Sequence, residues 1–254
     1  MKFVLSLLCA LAAPIALTAG AVAASADECE VPASLLSSEN DLTHVAAAVK
    51  DQHRLDIVVL GTASSALAGP GAAAAAYPAQ LETALKALLP GVEIKVITHI
   101  RPRTTTAEMA AGLEKILADE KPELVIWQAG TADAVQGVAA EDFGSSLDAG
   151  LNAIQAAGAD AILVNMQYSP RIESMLEVST YADVMHWAAQ QHSVPLFDRL
   201  GIMRYWNDEG TFDLYAATKD YVMARNVHKC IGKALASQII NAAHLDSENA
   251  QTTH

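Results

Sequence analysis

The chain has 254 residues and a formal net charge of −13, with 29 acidic and 16 basic side chains. Such a length suits one well-packed domain better than two. A field this negative repels the phosphates of nucleic acids and of anionic membranes, so neither is expected as a partner.

The first 26 residues have the pattern of a secretory signal peptide. One positive charge, Lys2, is followed by an apolar stretch that ends in small residues suited to cleavage after Ala26. The alternative interpretation is an uncleaved anchor helix. Pro14 and Gly20 interrupt the apolar stretch and disfavour such a helix. We therefore expect a periplasmic or secreted protein that has no membrane span after cleavage.

Apolar runs then alternate with amphipathic segments from residue 53 to residue 243. Five runs are continuously apolar, as strands buried on both faces are: 55–60, 93–98, 123–130, 160–166 and 194–197. Four segments have helical periodicity: 77–89, 105–120, 141–158 and 181–192. The alternation predicts an α/β fold, a three-layer α/β/α sandwich around a five-stranded parallel sheet, similar to flavodoxin.

Three other segments complete the predicted organisation. Residues 27–52 are expected to form a lead-in with one short helix, and the alanine-rich stretch 69–78 a loop. Residues 244–254 are polar and are expected to form a disordered tail. Cys29 and Cys230 would remain after cleavage in an oxidising compartment, which predicts a disulfide between them, although two unrelated buried thiols are an alternative.

Several segments together resemble one family. The stretches DIVVLGTASS, ELVIWQAGTADA, GADAILVNMQYSPR and VPLFDR, the last followed by MRYW, occur in the order found in the periplasmic branch of the SGNH (GDSL-type) hydrolases. The resemblance covers residues 53–240. It implies hydrolysis or transfer of acyl esters by a serine, a histidine and two oxyanion donors, a glycine amide and an asparagine side chain.

Each of the four reactive positions departs from the family pattern. The resemblance places Ala63 at the serine, Arg103 at the glycine, Ala132 at the asparagine and Val222 at the histidine. Because four separate loops have lost their reactive groups, we expect that ester hydrolysis has been lost. The alternative is a divergent esterase or acyltransferase.

That alternative needs a relocated catalytic group. Ser64 or Ser65 would be the nucleophile and His228 the base, with Asp220 nearby, but the spacing of Asp220 and His228 does not fit the family's Asp-x-x-His motif. As an alternative to a catalytic role, both serine side chains suit hydrogen bonds within their own turn.

Polar residues near the expected cleft predict a binding role instead. Arginines 101 and 103 enter the mouth of the cleft, and a guanidinium group suits carboxylates and phosphates. The predicted ligand is a saccharide or another anionic small molecule, such as an acidic glycan, or an envelope protein. Alternatives are that the arginines pair with the surplus carboxylates, or that the protein is a structural component of envelope assembly. The other proposed ligand-binding residues are Gln128, Thr131, Asp133, Tyr168 as an aromatic platform, and Arg171.

No cofactor is expected. His186 and His192 lie six residues apart and do not share a helix face, and no other cluster of histidine and cysteine has the spacing of metal ligands.

Overall fold

The computed structural model describes residues 28–216 and 221–245. The predicted signal peptide and residues 246–254 of the predicted tail lie outside this part. Within it, no helix is both long enough and apolar enough to cross a membrane.

A five-stranded sheet forms the middle layer, and all of its neighbouring strands are parallel. The strands are β1 Arg54–Gly61, β2 Glu93–Ile100, β3 Leu124–Gln128, β4 Asp160–Val164 and β5 Leu196–Phe197. Their order in the sheet is β2-β1-β3-β4-β5, which confirms the predicted fold class. The central strands are almost wholly buried and β5 has two residues. The run 93–98 was predicted to be buried on both faces, but it forms the edge strand β2 and exposes Glu93, Lys95 and Thr98.

Helices cover both faces of the sheet. The helices of the described part are α1 Thr43–Ala47, α2 Ala72–Ala75, α3 Tyr77–Leu88, α4 Thr106–Ala111, α5 Leu113–Glu120, α6 Thr131–Gln136, α7 Ala140–Ala156, α8 Pro170–Glu173, α9 Val178–Gln191, α10 Arg199–Asp208 and α11 Val222–Ala242. One hydrophobic core joins the sheet to α3, α10, α11 and the lead-in. The other joins it to α4, α5, α7 and α9. Because successive side chains of a strand point to opposite faces, β1 supplies both cores.

The helices differ from the sequence prediction in three places. The segment predicted as one helix over 105–120 is divided at Gly112, a residue that weakens helices, although its predicted start is capped by Thr105 and Glu108 as a capping box. The alanine-rich stretch contains α2 and is not wholly a loop. Helices α6 and α8 have six and four residues and are too short for periodicity to show, and neither they nor α10 were predicted.

The lead-in and the chain end are parts of the packed domain. Helix α1 continues as a π-helical turn, Ala48–Gln52, and Leu42 and Val45 are buried in the core. Leu245, which was predicted to belong to the tail, is buried, and its N–H donates to the carbonyl of Ile240. Cys29 and Cys230 form a disulfide that joins the lead-in to α11.

Helices α3 and α11 approach each other unusually closely at Gly232. A Cβ atom added there would lie 2.6 Å from Cβ of Gln80 and 2.7 Å from the backbone nitrogen of Leu81. The close contact fixes α11 against α3, and both helices contribute residues to the region around the end of β1.

Candidate ligand-binding cleft

A cleft of about 540 Å³ lies beyond the carboxyl end of β1, where sheets of this topology bind ligands. The turn Ala63–Ser65, the loop after β2 and helices α6 and α11 form its walls. Ala63 is exposed in the cleft, at the place that the family resemblance gives to the nucleophile. The residues that line it are Thr62, Ala63, Ser64, Ala66, Leu67, Arg103, Thr131, Ala132, Val135, Gln136, Gln167, Ala224 and His228.

Gln128 fixes the turn from beneath and is not a ligand contact. Its side chain is fully buried at the end of β3. Its Oε1 accepts from the N–H and hydroxyl of Thr62, at 3.1 and 3.0 Å, and lies 3.2 and 3.1 Å from the hydroxyls of Ser64 and Ser65. Gln128, a predicted ligand-binding residue, therefore does not line the cleft, and its amide oxygen is used by the N–H and hydroxyls of the turn.

Ser64 and Ser65 are held by the same buried network. The Ser65 hydroxyl is buried and lies 3.2 Å from the hydroxyl of Tyr77, while Ser64 is half-buried. In residues 28–216 and 221–245, neither serine hydroxyl has a histidine within hydrogen-bond distance. The two hydroxyls thus serve the turn, and the arrangement supplies no base to activate either of them.

Arg199, which the sequence analysis missed, lies behind the turn. It is 1 % exposed at the start of α10, and its guanidinium donates to the carbonyl and the hydroxyl of Ser64, both at 3.2 Å. Burial lowers the pKa of Arg199 to about 10, and the neighbouring Tyr77 acts in the opposite direction. The available signal was a basic residue two positions after the buried run VPLF, next to Asp198.

His228 is buried on α11, with one edge at the cleft. Its Nδ1 accepts a hydrogen bond from the backbone N–H of Tyr77 at 3.0 Å, so the proton of the neutral ring must lie on Nε2. Burial, and secondly the charge of Arg199, lower the pKa of His228 to about 4. The ring is therefore neutral near pH 7, and its Nε2 is a hydrogen-bond donor with no lone pair to take a proton.

The other residues proposed for the histidine role give no further support. Val222 is 58 % exposed at the first position of α11 and does not line the cleft. Asp220 lies outside the described residues.

Arg103 lines the cleft from the loop after β2 and has a φ of +64°, the left-handed conformation that favours glycine. The family resemblance places a glycine at this position, and the backbone of Arg103 adopts a conformation that favours glycine. The family's oxyanion donor at this position is the backbone N–H of glycine, and arginine has a backbone N–H as well. The substitution by Arg103 therefore does not by itself remove that donor. Gln136 donates to the Arg103 carbonyl at 2.8 Å and fixes the loop to α6.

The arginine side chains of this loop form no salt bridge with a described residue. In the described part of the chain, neither Arg101 nor Arg103 forms a salt bridge, contrary to the alternative that they pair with surplus carboxylates. Arg101 is exposed and its N–H donates to the carbonyl of Gly61, which extends the sheet ladder. It does not line the cleft, so only Arg103 of the two predicted ligand residues reaches it.

Helix α6 forms the opposite wall. It begins after Gly130, whose φ of +92° requires glycine, and it places Thr131 and Ala132 in the cleft. Asp133 is 1 % exposed and accepts from the N–H and the hydroxyl of Thr106, at 2.9 and 2.8 Å. Asp133, a predicted ligand-binding residue, therefore does not line the cleft, and its carboxylate joins α6 to the start of α4.

Tyr168 and Arg171 also do not line the cleft. Tyr168 is 5 % exposed, and Arg204 lies over its ring at 5.4 Å. Arg171 is exposed on α8. The predicted aromatic platform is therefore absent from the described cleft, and Gln167 is the residue of this loop that lines it.

One group of side chains has the spacing of metal ligands within the described residues, Glu28 with Cys29 and Cys230. Because the two cysteines are joined in a disulfide, they offer no thiolate to a metal. His192, one of the two histidines considered above, has its Nε2 3.0 Å from the carboxylate of Asp148.

Several solved structures have a similar fold. Axe2, an acetylxylan esterase from Geobacillus stearothermophilus, matches with a TM-score of 0.60 and 18% identity, over 73% of this chain and 94% of that one. LAE5, an alpha/beta hydrolase enzyme from the metagenome of Lake Arreo, Spain, matches with a TM-score of 0.58 and 18% identity, over 75% and 95%. A G-D-S-L family protein from Desulfitobacterium hafniense matches with a TM-score of 0.54 and 15% identity, over 72% and 99%.

The sheet order and the place of the cleft agree with the scaffold of the SGNH-type hydrolases. A family model for the non-GDSL lipase-like family matches residues 28–245, and the chain belongs to that family. Among curated proteins, none matches the sequence.

Replacing Gln128 with leucine tests its role beneath the turn. We expect the free energy of unfolding to fall by about 2 kcal/mol, because the buried N–H of Thr62 loses its acceptor while the serine hydroxyls can turn to other partners. Chemical denaturation measures the change. Gln155→Leu is the control, since that exposed amide donates only to the carbonyl of His192, and an equal effect of both variants would contradict the assignment.

Proposed function

We propose that this protein is a secreted, non-hydrolysing member of its family that binds an anionic small molecule in the cleft beside Ala63. The observation that carries the proposal is the exposed methyl group of Ala63 at the place of the nucleophile. A methyl group forms no acyl intermediate, so covalent catalysis at this position has no starting group.

The state of His228 supports the same conclusion independently. General base catalysis needs a free lone pair beside the attacking hydroxyl. The lone pair of Nδ1 is engaged by the N–H of Tyr77, and Nε2 carries the proton. A hydroxyl restored at residue 63 would therefore find a hydrogen-bond donor in this histidine and no acceptor for its proton.

Two further features support binding over a purely structural role. The cleft is open and its volume lies in the range that binds small molecules. Arg103 presents a guanidinium there without an acidic partner in the described part of the chain, and such a group binds carboxylates and phosphates. The disulfide Cys29–Cys230 supports a location outside the cytoplasm.

Esterase assays test the loss of catalysis. We expect no turnover of p-nitrophenyl butyrate above buffer by the mature protein, and none by the Ala63→Ser variant, because His228 supplies no base. Ser64→Ala and Ser65→Ala are measured in parallel. Activity of the starting protein that disappears in one of these two variants would overturn the proposal and identify a relocated nucleophile.

Activity that appears only in Ala63→Ser would have a different meaning. It would show that His228 can accept a proton, against the assignment of its ring nitrogens, while the loss of activity in the natural sequence would still follow from Ala63. A circular dichroism spectrum of each variant confirms that the fold is retained.

A further inference from the structure

The cleft combines hydrogen-bond donors with a group of aliphatic side chains. Its apolar residues are Ala63, Ala66, Leu67, Ala132, Val135 and Ala224. Its donors include the Nε2–H of His228 and the guanidinium of Arg103. We propose that the ligand is an aliphatic monocarboxylate, whose carboxylate binds between Arg103 and His228 and whose chain covers the aliphatic lining. This inference rests on the proposed function and names its ligand class.

The charge of the lining favours an anion. Among the described residues that line the cleft there is no aspartate or glutamate, although the chain contains 29 acidic residues. The cation of the lining is Arg103, so the cleft has a local charge opposite to that of the protein as a whole. A carboxylate meets no repulsion from these residues.

His228 makes the anion site more specific than a surface arginine would. Its Nδ1 is bound to Tyr77 on the α3 side, and in the described part of the chain its Nε2 has no hydrogen-bond partner. His228 is 8 % exposed and lines the cleft, and its Nε2 is not among the buried polar atoms that lack a partner, so this N–H is open to an acceptor that enters the cleft. A carboxylate oxygen supplies that acceptor, and the ring is neutral, so the bond forms without a change of protonation near pH 7.

The aliphatic lining separates this ligand from a glycan. None of the described lining residues is a phenylalanine, tyrosine or tryptophan, and the expected platform, Tyr168, is buried elsewhere. Val135 is 63 % exposed at the cleft, so an alkyl chain against it would remove apolar surface from water. A hydroxylated ring offers less apolar area to the same surface.

Isothermal titration of the mature protein with sodium hexanoate, 1-hexanol and sodium glucuronate tests the inference. We expect hexanoate to bind, hexanol to bind at least tenfold more weakly because it lacks the charge, and glucuronate to show no saturable binding. The Arg103→Gln variant should bind hexanoate about tenfold more weakly, as expected for one lost charge-assisted hydrogen bond.

Arg101→Gln is the matched control, because Arg101 lies in the same loop but does not line the cleft. Its affinity for hexanoate should stay within twofold of the starting protein. The NMR signal of the His228 Nε2–H should move on addition of hexanoate and stay unchanged with hexanol at equal concentration, a readout that requires no substitution of the buried histidine.

The results separate this inference from the proposed function. Failure of hexanoate to bind, or an equal loss of affinity in the Arg101 and Arg103 variants, overturns the inference. If glucuronate binds instead, the ligand class is wrong but the binding function stands. Hydrolysis of p-nitrophenyl hexanoate by the mature protein overturns the proposed function even where hexanoate binds.

Discussion

Loss of the disulfide Cys29–Cys230 is expected to lower the free energy of unfolding by about 5 kcal/mol. The bond closes a loop with a sequence separation of 201 residues, and in the chain-entropy model a cross-link of that length removes much of the freedom of the unfolded chain. Urea denaturation with and without a reductant measures the effect, with the thiol count determined at each condition.

The variant Cys29→Ala with Cys230→Ala separates the cross-link from side-chain packing. Cys230 is fully buried, so its replacement also leaves a small cavity. We expect the reduced protein and the double variant to be similarly destabilised, and the double variant to be indifferent to reductant. A protein that keeps its stability when both thiols are shown to be free would contradict the prediction.

Gly232→Ala is expected to lower the free energy of unfolding by about 3 kcal/mol. The new methyl group would meet the backbone of α3 at Leu81 and Cβ of Gln80, neither of which is the flexible end of a side chain. Overpacking of this kind outweighs the gain of about 1 kcal/mol that alanine brings to a helix interior. Since His228 lies one turn earlier on α11, its position at the cleft should also change.

Gly144→Ala is the control for helix propensity. A Cβ there would lie 3.4 Å from the side chain of Val184, an ordinary contact, so the substitution should be neutral or stabilising. Urea denaturation of both variants gives the comparison. Equal effects at the two glycines would show that α3 and α11 do not approach as closely as described.

The sheet could be predicted because its central strands are buried on both faces. Runs such as 55–60 and 160–166 are too continuously apolar to be surface elements, and their alternation with amphipathic segments leaves few topologies. Helices α6 and α10 could not be predicted in the same way. Hydrogen bonds from distant residues fix them: Asp133 accepts from Thr106, and Asp198 at the start of α10 accepts from Asn165 at 2.7 Å.

The position of the candidate cleft could be predicted from the sequence, but not all of the residues that line it. The loop that contains Ala63 was found, because a small-residue turn after the first strand has a fixed place in the fold. Gln128, Asp133 and Tyr168 were assigned to the ligand although the fold buries them, since a polar residue that faces a ligand and one that satisfies a turn look alike in sequence. The tautomer of His228 depends on the N–H of Tyr77, 151 residues away.

The two edges of the sheet have a consequence for how copies of this protein meet one another. An open strand edge offers unpaired N–H and C=O groups on which another chain can add a strand, the first step of edge-to-edge aggregation. Here β5 is only two residues long, and β2 carries exposed Glu93 and Lys95 along its free side. Both edges are therefore poor templates, and two molecules that come into contact are discouraged from extending their sheets into one.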